Sequence, residues 1–191
     1  MARWDPNARE RLIRAAVELF GEQGYEATTI NEIAQRAGGL TKTTFFRHFS
    51  DKREVLFAGQ EIHSRIMSEA IAEAPESATP LEMVKSALDA LASSFPQERR
   101  EVGRKLRTVV VNTPELRERS ASKRAAHTAA TAEALRSRGV SQLGAEIAAE
   151  LGTRAFYTAF ERWTTSPGTK TLAEHAHEVF LELKAALAVL E

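Results

Sequence analysis

Residues 28–57 read TTINEIAQRAGGLTKTTFFRHFSDKREVLF, and the reading of this stretch decides the fold. Thr29 and Glu32 stand three apart, the spacing at which a hydroxyl and a carboxylate reciprocally satisfy the free backbone N–H groups of a helix start. Ile30, Ile33, Ala34 and Ala37 recur at helical intervals, and Gly38 and Gly39 end the run. A short third helix is predicted from about Thr41 to His48, with Leu40, Phe45 and Phe49 placed to meet the helices before it. Its first turn holds Thr41, Lys42 and Thr43, so one side is polar and the other carries phenylalanine.

Upstream, a helix is predicted from about Pro6 to Gly24, with Leu12, Ile13, Ala16, Leu19 and Phe20 in one stripe. Downstream, Ser50 is read as the cap of a long fourth helix reaching about Glu73. Thr79-Pro80-Leu81-Glu82 sets threonine, proline and glutamate at the cap, first and third positions of the next. Pro96, Thr113-Pro114, Gly139 and Ser141 punctuate three more, and Thr171 with Glu174 opens a last one whose stripe runs to Leu190. The expected fold is all-α with about nine helices: a three-helix domain over residues 1–50, then a larger helical domain over 51–191. The fourth helix would tie the two together rigidly.

Composition narrows the function classes. The chain has 191 residues, 43% of them hydrophobic, and no cysteine, so disulfides, thiolate metal sites and thiol nucleophiles are excluded. The first 30 residues have no uninterrupted apolar run of signal-peptide type, and no stretch approaches 18 apolar residues, so a cytoplasmic protein with no membrane partner is expected. His175 and His177 are two apart and cannot share a helix face, and no carboxylate completes a histidine cluster; no metal and no cofactor are expected. No phosphate loop, zinc-protease motif or Ser-His-Asp arrangement is present, so the expectation is not an enzyme. The formal charge is zero, but residues 99–124 carry nine basic and three acidic side chains, and Arg36, Lys42, Arg47, Lys52 and Arg53 form a basic window against Asp51 alone. That window suits phosphate contact or is a solvated face.

An α-helix fits the DNA major groove, and the polar side of the short third helix is the candidate reading surface. Lys42 can donate to guanine O6 and N7 or pair with phosphate, and Thr43 can offer its hydroxyl or set its methyl against thymine. Both are assigned base-edge roles, and Thr41 lies in the first turn, where N–H groups can also receive phosphate.

The whole block resembles the helix-turn-helix and following segment of the tetracycline-repressor (TetR) family. Thr29, Ile33 and Ala34, the glycine turn, Thr44-Phe45-Phe46, His48-Phe49 and Asp51-Lys52 carry the resemblance, which covers roughly residues 8 to 60. Beyond that the chain matches in length and in being helical. The resemblance implies backbone positioning on DNA by Thr29, Thr44, Phe46, His48 and Lys52. Phe46, where the family commonly has tyrosine, lacks the hydroxyl for a phosphate bond, and His48 can instead serve as a local cap at the helix end. One departure is the segment Ala37-Gly38-Gly39-Leu40-Thr41, one residue longer than the family's usual turn, which a glycine can absorb at positive φ.

The resemblance further implies a homodimer on palindromic operator DNA, its reading helices about 34 Å apart, released by a small-molecule effector. Dimerisation is assigned to Leu143, Ile147, Leu151, Val179, Phe180, Leu183 and Leu187 on the last two helices, which can equally serve a monomer's core. Met67, Leu88, Phe95, Leu106, Val110, Phe156, Tyr157, Phe160 and Trp163 are the pocket candidates for a hydrophobic or amphipathic effector. The run Arg99, Arg100, Arg104, Lys105 and Arg107 would suit an acidic effector or form a solvated face. Repression follows from family habit. The alternatives are an effector-independent DNA-binding regulator and a small-molecule-binding helical enzyme.

Overall fold

Three of the helix starts anticipated from sequence are closed by reciprocal caps. Thr29, Thr79 and Thr171 each accept from a backbone N–H three residues on, and Glu32, Glu82 and Glu174 each accept from the capping residue's own N–H at 2.7, 2.8 and 2.7 Å. These bonds satisfy donors that a helix start leaves open. The computed structural model describes residues 7–189, and among them every regular element is helical. The α-helices are α1 (Ala8–Gln23), α2 (Ile30–Arg36), α3 (Lys42–His48), α4 (Gln60–Glu73), α5 (Pro80–Ser93), α6 (Arg100–Asn112), α7 (Pro114–Ser137), α8 (Gln142–Thr165) and α9 (Leu172–Ala188). Single 3₁₀ turns occupy Glu54–Leu56 and Gln97–Arg99. Pro6 and Leu190, expected at the outer ends of the first and last helices, lie outside the described residues.

The chain forms two compact units. The first comprises the chain up to Ala58 together with Glu101–Ser120, and the second Gly59–Arg100 with the chain from Ala121. The boundary therefore differs from the expected break at residue 50. Its physical reason is the first core: Leu12, Phe20, Ile33, Phe45 and Phe49 are joined there by Val55 and, from a distant stretch of sequence, by Val109 and Leu116. A domain of about 50 residues buries too little surface to be secure alone, and the borrowed segment enlarges its core. The second core is built on Met67, Leu88, Leu91, Leu135, Trp163 and Leu172, all fully buried.

The fourth helix is shorter than expected. It begins at Gln60, not at Ser50, because Asp51 Oδ1 accepts from the N–H groups of Arg53 and Glu54 at 2.8 and 2.9 Å and folds the chain into a turn. Val55 and Leu56 are then buried on a 3₁₀ turn. No continuous helix spans Asp51 to Glu73, where one was expected. Among the described residues no helix is long and apolar enough to cross a membrane.

Candidate nucleic-acid interface

The first unit turns α3 so that its two faces do different work. Phe45 is fully buried and packs against Phe49 at 5.3 Å between ring centroids, which fixes the helix on its core. Lys42 and Thr43 are exposed on the opposite side. Thr41 Oγ1 caps the helix by accepting from Thr44 N at 3.1 Å, and the two hydroxyls also meet at 3.1 Å. Phe46 is 46% exposed, with Lys42 Nζ 5.8 Å from its ring centroid, so an apolar surface borders the polar one. Such a face can offer donors to base edges and an apolar edge to sugar or a thymine methyl.

Around α3 the expected phosphate contacts are held in unequal ways. Thr29 is exposed, but its hydroxyl already donates to Glu32 at 2.7 Å. Lys52 Nζ donates to the carbonyls of Tyr25 and Thr28 at 2.7 and 3.0 Å and lies 4.1 Å from the Tyr25 ring centroid. Two of its three donors thus pin the connection from α1 to α2, leaving one for an anion. Burial, with Glu115 nearby, pushes the Tyr25 hydroxyl up to about 12. His48 is half-buried, and its Nε2 is shielded from solvent without a partner. Burial first, then Arg47 and Arg9, holds its pKa below the ordinary histidine value, and a phosphate contact through Nε2 requires the ring to turn outward. The basic window is less free than its charge count: Arg36 makes a two-pronged pair with Glu22 at 2.9 Å, and Arg53 pairs with Asp51 at 3.0 Å and Glu115 at 3.2 Å.

The longer turn is absorbed by both glycines. Gly38 and Gly39 have φ of +95° and +73°, a region that disfavours a Cβ. Gly39 N donates to Gln35 O at 2.9 Å and Leu40 N to Ala34 O at 2.8 Å, so the last carbonyls of α2 are satisfied within the turn.

Known proteins share this part of the chain. The family model described as "Bacterial regulatory proteins, tetR family" matches residues 12–58, which hold α2, the two-glycine turn and α3. Over these residues the chain matches the tetR family. The HTH-type transcriptional regulator TcmR of Streptomyces glaucescens is 39% identical over 83 residues, 44% of this chain and 36% of that protein. The chain matches at most 40% of the length of the first curated relatives. The crystal structure of the TetR-family transcriptional regulator PfmR from Thermus thermophilus is 27% identical, with a TM-score of 0.50, over 90% of this chain and 97% of that one. The repressor FadR, also from Thermus thermophilus and solved in complex with lauroyl-CoA, is 25% identical, with a TM-score of 0.54, over 92% of each.

The second unit divides the expected pocket residues. Met67, Leu88 and Trp163 are fully buried and Phe156 nearly so, while Phe95, Tyr157 and Phe160 are half-buried against the same core. Phe95, Phe156 and Phe160 form a ring cluster with centroids 5.8 to 6.2 Å apart. Leu106 and Val110 do not join them; they pack on the first unit's core, because α6 turns its apolar side there. The basic run is likewise split. Arg100 Nε donates to Trp163 O at 2.5 Å and its other nitrogens bond the carbonyls of Ser166 and Gly168, closing the end of α8, whereas Arg104 pairs with Glu101 at 2.6 Å.

The polar part of this unit was not anticipated from sequence. His127 is buried, with Nδ1 3.1 Å from Ser64 Oγ and Nε2 3.0 Å from Met67 Sδ. His63 lies 4.9 Å from the Phe95 centroid, and burial, with His127 and Arg99 adding to it, lowers its pKa to about 4. His63 stands four residues before Met67, a same-face spacing that could have signalled it. The α8 and α9 residues assigned to a dimer also separate. Leu143 and Ile147 are 67% and 52% exposed and Leu151 is half-buried, but Val179 and Phe180 belong to the second unit's own core and Leu183 packs against it. Leu187 is half-buried, and Leu181, 50% exposed, is an apolar surface residue of α9 that the stripe did not single out.

Proposed function

We propose that this protein is a transcriptional regulator that binds a palindromic operator as a homodimer and is released by a small hydrophobic or amphipathic effector, acting as a repressor. The observation that carries the reading is the two-faced α3, anchored by buried Phe45 and presenting Lys42 and Thr43 outward. Lys42 and Thr43 read base edges, while Thr41, Thr44, Thr29, Phe46, Lys52 and a turned-out His48 position the helix on the backbone. The regulators among its relatives support this role, and FadR with lauroyl-CoA supports an effector bearing an apolar chain. Such an effector would lie in the second unit near Phe95, Phe156, Tyr157 and Phe160. Leu143, Ile147 and Leu151 supply the apolar face for a second copy. Release works by population shift: the effector binds best to dimers whose reading helices are misplaced for the operator.

The test is selection of bound duplexes from a random DNA pool, followed by competition binding of Lys42→Ala and Thr43→Ala at fixed salt. A palindromic consensus is expected, with each substitution weakening binding at particular base positions by about 1–3 kcal/mol. Selection that yields no consensus, or variants that read every position as the parent does, would remove the assignment.

A further inference from the structure

The longer turn between α2 and α3 is held by a residue that the DNA-reading proposal does not use. Arg11, on α1 beside the fully buried Leu12, donates from Nε to Ala37 O at 2.7 Å and from Nη2 to Gly38 O at 3.4 Å. Ala37 is the C-cap of α2, where carbonyls lack helical partners. The two glycines differ in what they permit. A Cβ at Gly39 would meet nothing within 4 Å, whereas a Cβ at Gly38 would lie 2.5 Å from Arg11 Nη2 and 3.2 Å from Cζ. Gly39 is therefore required for its backbone conformation alone. Gly38 is required for that and for the space its missing side chain leaves to the guanidinium.

We propose that Arg11 is a positioning residue for DNA recognition: it clamps the two-glycine turn to α1 and so sets the direction in which α3 presents Lys42 and Thr43. The inference rests on the DNA-reading proposal above. Thr41, the cap of α3, follows the turn after a single residue, Leu40, whose N–H is bonded back to Ala34 O, so little slack separates the clamped carbonyls from the reading helix. A planar guanidinium can give two donors to neighbouring carbonyls from one fixed fork. Lysine in its place offers a point charge and no fork.

The experiment compares the selected operator with a scrambled duplex of equal length by fluorescence anisotropy over a series of salt concentrations, with thermal midpoints measured alongside. Arg11→Ala and Arg11→Lys are expected to weaken operator binding about tenfold, with scrambled-duplex affinity, salt slope and midpoint close to the parent's. A role confined to folding would move the midpoint and not the ratio between duplexes. Gly38→Ala should reproduce the loss, because its methyl displaces the guanidinium. In the Arg11→Ala, Gly38→Ala double variant the losses should be less than multiplicative. Three results overturn the inference: an operator-to-scrambled ratio unchanged in both Arg11 variants, equal loss on both duplexes with a shallower salt slope, which would make Arg11 a phosphate contact, or fully multiplicative losses in the double variant. A parent protein that binds the two duplexes equally defeats the DNA reading itself, and the inference with it.

Discussion

The two units use charged side chains alike to fasten backbone but differ in what lines their interiors. In the first, charged side chains fasten backbone: Lys52 holds the carbonyls before α2, Arg11 those after it, and Asp51 the N–H groups of the following turn. In the second, Arg100 and Arg138 do the same for the carbonyls of Trp163 and Ile71, but the interior also holds imidazoles, with His127 satisfied by Ser64 and Met67 and His63 beside the rings of Phe95 and Phe156. The difference teaches what each fold region protects. A reading surface gains from a fixed backbone, because base recognition depends on direction, whereas an interior free of permanent charge keeps an apolar occupant's desolvation favourable.

The sharpest way to break this division is to treat the α8 and α9 apolar residues as one class. Phe180→Ala should cost about 3–5 kcal/mol of folding stability, since its ring is core, and a denaturant titration followed by helical circular dichroism would show it. Leu143→Glu with Ile147→Glu should instead leave folding within about 0.5 kcal/mol and convert the proposed dimer to monomer in sedimentation velocity. A dimer that persists at equal strength would place the interface elsewhere.

A smaller effect is read by pH. Below its ordinary value of 6.5, His63 takes up a proton in the unfolded chain that the native ring accepts only near 4. Its contribution is therefore present above pH 6.5 and is lost as pH falls through about 4, roughly 3 kcal/mol in all. His127, lowered by burial, works in the same direction. Unfolding free energies from pH 7 to 4 should fall accordingly, and His63→Phe should flatten the curve; an equal slope in the variant would remove His63 from that role.

The smallest expected effect compares two identical caps. Thr29→Ala and Thr171→Ala should each lower stability by about 1 kcal/mol. Only the first should also weaken operator binding, and a Thr171 variant with the same DNA defect would mean that the cap's contribution is to stability alone.

Legibility in the sequence followed from how many partners a pattern could have. Thr29 with Glu32 and Thr171 with Glu174 have one geometric meaning, and α2 and α9 begin where those pairs require. Asp51 was harder, since an aspartate after serine suits a helix start and a tight turn alike. Apolar stripes were the least decisive. Val179 and Leu143 look equivalent on paper, yet the first faces its own core and the second is exposed, and Leu106 and Val110 serve the other unit's core. For Lys42 and Thr43 the alternation with Phe45 was enough to predict exposure; the engagement of Lys52 by carbonyls 24 and 27 residues away leaves no local trace.

The borrowed segment Glu101–Ser120 bears on modularity. A fragment cut at Ala58 would contain the whole family signature yet lack Val109 and Leu116, and the apolar surface they cover would meet water. Exchanging reading heads between relatives by a single crossover after residue 58 would therefore join a head to a foreign filler. A graft meant to keep the proposed specificity must carry both stretches, so the unit proposed for DNA recognition is discontinuous in the sequence.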